Sequence, residues 1–148
     1  MDSAIVVSII SVIGSFILVY LSTIKESFDR KYQVRKEQLD KFYIPFYQMY
    51  CRGLMSDIKF SNFSIEIKLK FLDMLSNNIH LLEPGSQAIY PKYYNSLLNL
   101  MEAEDGNAEF PLDITKSIFD SVSQQLISQI LSEYKHILKK CRLPVPSI

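Results

Sequence analysis

Hydrophobic and polar positions divide the chain into one apolar block followed by stripes at helical period. Residues 4–24, "AIVVSIISVIGSFILVYLSTI", carry no Asp, Glu, Lys or Arg over 21 positions. At 1.5 Å per residue such a run crosses a hydrocarbon core of about 30 Å, so the pattern predicts a transmembrane helix. Within it Ala4, Ser8, Ser11, Ser15, Leu18 and Ser22 recur at alternating spacings of four and three. Small residues on one face let helix backbones approach closely in lipid, where hydrophobicity itself does not drive association. Ala4, Ser8, Ser11, Ser15 and Ser22 are therefore expected to form an interaction face, weighed against serines that the span merely tolerates. Gly14 lies near this face without completing a G-x-x-x-G pair.

Beyond the block, Phe28, Tyr32, Arg35, Leu39, Phe42, Phe46 and Met49 recur at spacings of four and three, a heptad-like stripe. It predicts a stalk helix that continues the span. Ser11, Leu18, Lys25, Tyr32, Leu39 and Phe46 stand at intervals of seven, so the serine face and the aromatic seam share one side. Pro45 interrupts the stripe, because an interior proline removes a backbone hydrogen bond and clashes with the carbonyl four residues earlier. Either the helix kinks at Lys41 or a new helix starts with Pro45 in its first turn. Both outcomes place "KFYIPFYQMY", residues 41–50, at a bend. Phe28, Tyr32, Leu39, Phe42, Tyr43, Pro45, Phe46 and Tyr47 are the expected packing or interaction residues of seam and corner.

A helix from Pro45 to about Lys59 should follow, with Ser61, Asn62 and Ser64 as turn and capping residues. Phe63, Ile65, Ile67, Leu69 and Phe71 alternate as in a strand, yet Ile65, Leu69, Leu72, Leu75, Ile79 and Leu82 fit a helical face. Length favours a helix over about 64–82, stopped by Glu83-Pro84-Gly85. Pro91 then fits the first turn of a helix carrying Tyr94, Leu97, Leu98 and Met101 and ending near Ala103 to Gly106. The acidic loop "EDGNAEFPLD" leads to Asp113 or Thr115 as an N-cap. A long helix follows, with Ile118, Val122, Leu126, Ile130, Tyr134, Ile137 and Cys141 inward and its basic end, Lys139, Lys140 and Arg142, suited to a helix C-terminus. That end could return toward the membrane. The predicted fold is all-α: a transmembrane anchor over 1–24, a juxtamembrane stalk over 25–44, a small helical bundle over 45–142 and a tail over 143–148.

Composition agrees with one domain of helical class, since 148 residues at 48% hydrophobic content include 4 Gly and 6 Pro. Net charge is zero, but residues 25–70 hold ten Lys/Arg against six Asp/Glu, residues 71–134 two against nine, and residues 135–142 four basic residues alone. Lys25, Arg30, Lys31, Arg35 and Lys36 follow the span, and nothing basic precedes it. The positive-inside rule then places a single-pass protein in the cell inner (cytoplasmic) membrane with its C-terminal domain in the cytoplasm. Met1-Asp2-Ser3 is acidic and no A-x-A pattern follows the apolar run, which favours a retained anchor over a cleaved signal peptide. Cys51 and Cys141 would sit in a reducing compartment as buried free thiols.

Chemistry-bearing patterns are sparse. Glu133-x-x-His136 has the spacing of one di-iron ligand pair, but a bundle site needs a second such pair, and His80 has its glutamate after it at Glu83. Cys51 lacks a flanking protease signature, and no glycine-rich phosphate loop, nucleophile elbow or zinc spacing occurs. The aromatic corner lacks the basic groove of a base-stacking platform. No catalytic, cofactor-binding or metal-binding residue is expected, and no cofactor, nucleic acid or small-molecule substrate. Expected partners are the lipid bilayer and either a second copy of the chain or another membrane protein. The expected function is non-enzymatic: a membrane-anchored cytoplasmic helical protein acting by protein–protein interaction and oligomerisation. The alternative is a membrane-active effector or toxin that permeabilises the bilayer.

One segment adds a resemblance. "QLDKFYIPFY", residues 38–47, is similar to a stretch in small bacterial and prophage-encoded single-pass membrane proteins of unknown function, with the pattern Q-L-x-x-[FL]-Y-x-P-[FL]-Y. Gln38, Leu39, Phe42, Tyr43, Pro45, Phe46 and Tyr47 carry the match, and the likeness covers about the first third of the chain. It implies a bacterial or phage origin and no assigned activity. A prophage protein of this shape looks like a candidate for host interference, such as superinfection exclusion or phage defence.

Overall fold

With no proline to break it, the chain from Ser3 to Gln38 forms a single α-helix of 36 residues, α1. The computed structural model describes residues 3–54, 59–107, 109 and 111–147. It divides into two compact units, one through Lys36 and one from Glu37 onward. In the first unit the apolar side chains stand on the surface of the helix: Phe16 is 72% exposed, Leu18 70% and Phe28 72%. One helix is thus long and apolar enough to cross a membrane. The hydroxyls of Ser15 and Thr23 donate to the carbonyls of Ser11 and Val19 at 2.9 Å, so both are satisfied within the helix. Glu26 and Arg30 meet at 3.8 Å on its surface, a pair worth a few tenths of a kcal/mol.

The second unit starts at Glu37, and the regular structure among its described residues is all helix, with no strand. Pro45 shapes its entry. Lacking an N–H, it cannot continue an α ladder, and the turn before it, Leu39–Tyr43, widens to a π turn in which the Ile44 N–H bonds to the Leu39 carbonyl, five residues back. Helix α2, Ile44–Met49, then begins with the proline in its first turn, and a second π turn covers Tyr50–Leu54. The expected helix to Lys59 is therefore replaced by this interrupted path as far as Leu54, and residues 55–58 lie outside the described residues.

A 3₁₀ turn at Phe60–Asn62 is held by Asp120, whose carboxylate accepts from the Ser61 amide at 2.7 Å and the Ser61 hydroxyl at 2.8 Å. The ambiguous segment is helix: α3 runs Ile65–Asn77, followed by a 3₁₀ turn at Ile79–Leu81. Its inward face is Lys68, Phe71 and Leu75, whereas Ile65, Ile67 and Leu69 are exposed. Of the expected face, Leu75 and Leu82 are buried and Leu72 and Ile79 pack on the core, so only its first turns, at Ile65 and Leu69, are turned outward. The aromatic ring of Phe71 against Phe46 and Tyr93 sets the rotation. Lys68 is buried as a consequence, and its ammonium reaches Glu104 at 3.3 Å.

Helix α4, Pro84–Glu104, begins seven residues before the expected start at Pro91, and the Glu-Pro-Gly stretch opens this helix instead of closing the previous one. Pro84 occupies the first turn, where its missing N–H costs nothing. Pro91 sits inside α4, and it and Gln87 are exposed, so the lost hydrogen bond falls on the solvent side. Helix α5, Leu112–Lys140, is 29 residues, roughly 44 Å, and packs along α4. Leu126, Ile130, Tyr134 and Ile137 point inward as expected, but the N-terminal half is rotated: Thr115, Phe119 and Ser123 are buried and Ile118 is exposed.

Aromatic rings supply the bulkiest side chains of the core. Phe42, Tyr43, Phe46, Phe71, Tyr93 and Phe119 are all fully buried. Tyr93 crosses Phe71 edge-on at 5.4 Å between ring centroids and tilts against Phe119 at 5.6 Å. Each such pair adds about 0.5–1.5 kcal/mol beyond its buried area. The Tyr93 and Ser123 hydroxyls are buried with no hydrogen-bond partner among the described residues.

Candidate functional site

The entry to the second unit carries a buried polar cluster on Glu133. Glu133 as a whole is 7% exposed. Its Oε2 accepts from the Tyr43 hydroxyl at 2.9 Å and from the Ser86 hydroxyl at 2.7 Å. Its Oε1 accepts from the Ser86 backbone amide at 2.8 Å and from Gln129 Nε2 at 3.0 Å. Ser86 lies in the first turn of α4, so a carboxylate from α5 caps that helix and opposes its positive end. The Glu83 amide, one residue before α4, donates to the Tyr43 oxygen at 3.1 Å. Gln38 extends the chain of bonds, donating to the Leu81 carbonyl at 2.9 Å and reaching Glu83 Oε1 at 3.4 Å.

Four segments thereby meet: the end of α1, the π turn that follows it, the start of α4 and the C-terminal third of α5. Gly85 makes the approach possible, since a Cβ there would overlap Gln129 Nε2 and come within 2.9 Å of Glu133 Oε1. The Tyr43 phenol is held protonated, its pKa pushed up by burial above all and further by the Glu133 charge. Ser86 and Tyr43 are fully buried. The geometry therefore makes this cluster a latch that fixes helix ends, with its donors and acceptors engaged by one another.

The aromatic corner is the other half of the same region. Phe42 stacks on Phe46 at 6.0 Å and meets Tyr43 edge-on at 5.0 Å, while Tyr43 and Tyr47 lie against Tyr134 at 6.5 and 5.1 Å. Leu39, Phe42, Tyr43 and Phe46 are buried, Pro45 and Tyr47 half-buried, and Phe28 and Tyr32 exposed. The stripe that reads as one seam in sequence is thus divided at Leu39 between surface and core. Ser11, Ser15 and Ser22 are exposed on α1; Ala4 and Ser8 belong to the same helix, but their side chains lie outside the described residues. Cys51 is exposed and Cys141 half-buried, which corrects the expectation of two buried thiols. The Tyr47 phenol pKa is raised, chiefly by the neighbouring Cys51 thiol.

An open groove of about 440 Å³ lies between α2 with its following turn and α3, its lining including Pro45, Met49, Arg52, Phe63, Lys70 and Met74. Gln129, Ser86 and Gly85 do not stand out in the sequence pattern as site residues, and Glu133 is singled out there only as half of a metal-ligand spacing. The signal that marks Glu133 is a charge on an otherwise apolar face, between Ile130 and Ile137. No family model, curated protein or solved structure matches the chain.

Proposed function

We propose that the chain is a single-pass membrane protein whose helical head faces the cytoplasm and acts by binding protein partners, assembling through α1 with a second copy of itself. The observation that carries this reading is the surface of α1: Val12, Phe16, Ile17, Leu18 and Val19 are each more than half exposed around its uncharged stretch. Apolar surface of that extent is unfavourable in water and belongs in lipid or against another helix. Ser11, Ser15 and Ser22 on this helix suit close helix approach. The latch and aromatic corner, both within the second unit, support a head whose entry segment is firmly packed. A role in phage–host interference is part of the same proposal and follows from the resemblance of residues 38–47.

Crosslinking of the full chain in native membranes tests it. The expected result is a dimer or higher ladder that weakens when Ser8, Ser11 and Ser15 are replaced by Leu. Monomers alone, unchanged by that substitution, remove the self-assembly part. Growth arrest with collapse of membrane potential on expression would instead favour the bilayer-permeabilising alternative.

A further inference from the structure

The C-terminal end of α5 carries a second feature, independent of the latch. Lys139, Lys140 and Arg142 are exposed, and none takes part in the ion pairs found among the described residues. The helix ends in a Schellman turn: the Leu143 amide bonds to the Leu138 carbonyl at 3.0 Å and the Arg142 amide to the Lys139 carbonyl at 3.1 Å. The left-handed position of that turn, which favours glycine, is held by Arg142 at φ 57°. The helix dipole accounts for lysines in the last turn. It does not account for an arginine at a position where glycine is less strained. Immediately after it the chain exposes Leu143 and Val145, 44% and 36% accessible.

Tyr43 lies against Tyr134, and Phe60 lies against Phe119, so α5 runs antiparallel to the entry segment. Its last turns therefore lie at the end of the head where the chain enters at Glu37. We infer that Lys139, Lys140 and Arg142, with Leu143 and Val145, form a second membrane contact, the cations binding anionic lipid headgroups and the two apolar side chains entering the interface. The inference rests on the membrane-anchor reading. Cations near an anionic surface gain about fivefold each in binding, and apolar residues beside them deepen the contact.

The chain has no tryptophan, so Val145→Trp supplies a single reporter. The full chain carrying it is placed in nanodiscs of phosphatidylcholine, with or without about one-third phosphatidylglycerol, at low salt where surface charge acts furthest. The expected result is a blue-shifted emission quenched by brominated lipid in the anionic discs. The effect is lost in molar salt and in the Lys139→Gln, Lys140→Gln, Arg142→Gly variant. Equal quenching in both lipids, or a variant that quenches like its parent, would overturn the contact. Arg142→Gly alone separates fold from function: it should raise the folded-to-unfolded ratio by roughly fivefold while reducing the quenching. Stabilisation with undiminished quenching would remove Arg142 from the contact. Extraction of the chain from discs by alkaline carbonate would refute the anchor separately, and emission with added anionic vesicles would still read docking.

Discussion

Replacing Glu133 by alanine perturbs the most connected polar group in the head. Its carboxylate accepts four hydrogen bonds of 2.7–3.0 Å, from Tyr43, from Ser86 twice and from Gln129. Gln129 is half-buried and can turn to solvent. The Ser86 amide and hydroxyl and the Tyr43 hydroxyl are fully buried and would be stranded, each at about 1–3 kcal/mol if nothing replaces the acceptor. Rotation of the two hydroxyls recovers part, and loss of the charge opposite the α4 N-terminus adds about 0.5–1 kcal/mol. The expected destabilisation is about 3–5 kcal/mol, the cost of the donors left without an acceptor. Glu133→Gln keeps the shape and one acceptor for the Ser86 amide, so it should cost only about 1–2 kcal/mol. Urea unfolding of the full chain in mild detergent, followed by tyrosine fluorescence, measures both. An alanine variant within about 1 kcal/mol of the parent would refute the latch as a determinant of stability.

Other consequences follow from the same core. Burial raises the phenol pKa values of Tyr43 and Tyr93 above the ordinary 10.0, so the unfolded chain releases protons that the folded chain keeps. Stability should therefore be constant below about pH 9 and fall above pH 10, by up to about 1.4 kcal/mol per pH unit for each tyrosine; a flat alkaline limb in urea midpoints would contradict this. Tyr93→Phe removes an unpartnered buried hydroxyl and should stabilise the head by about 0.5–1.5 kcal/mol while reducing that alkaline slope, both read from urea titrations. Gly85→Ala should cost about 1–2 kcal/mol by displacing Gln129 from Glu133, and adding Gln129→Ala should recover part of it; strict additivity of the two would mean no contact.

What was legible in the sequence depended on how local the cause is. The apolar run through Ile24 needs nothing beyond itself to be read as a long helix, and Pro45 announces an interruption wherever it falls. The choice between strand and helix after Ser64 was also decided by length. Rotation was less legible. On α3, Ile65 and Leu69 continue the apolar row of Leu72 and Leu75, but Phe71 must meet Phe46 and Tyr93, and that turns Lys68 inward in their place. On α5, Phe119 has the same effect on Ile118. Glu-Pro-Gly reads equally as a stop and a start, and the group that settles it, Glu133, lies 47 residues away from Ser86. Cys51 is exposed because the π turn after α2 carries it outward, a backbone feature without a sequence signature here.

The anchor and the orientation of the head are tested most directly by the thiol that the fold exposes. Cys51 is accessible, and a Cys141→Ser variant makes it the sole cysteine. In sealed vesicles from expressing cells, the protein should resist alkaline carbonate. A membrane-impermeant maleimide should modify Cys51 in inside-out vesicles and leave right-side-out vesicles unlabelled. Release by carbonate, or labelling in right-side-out vesicles, would contradict a retained span with a cytoplasmic head.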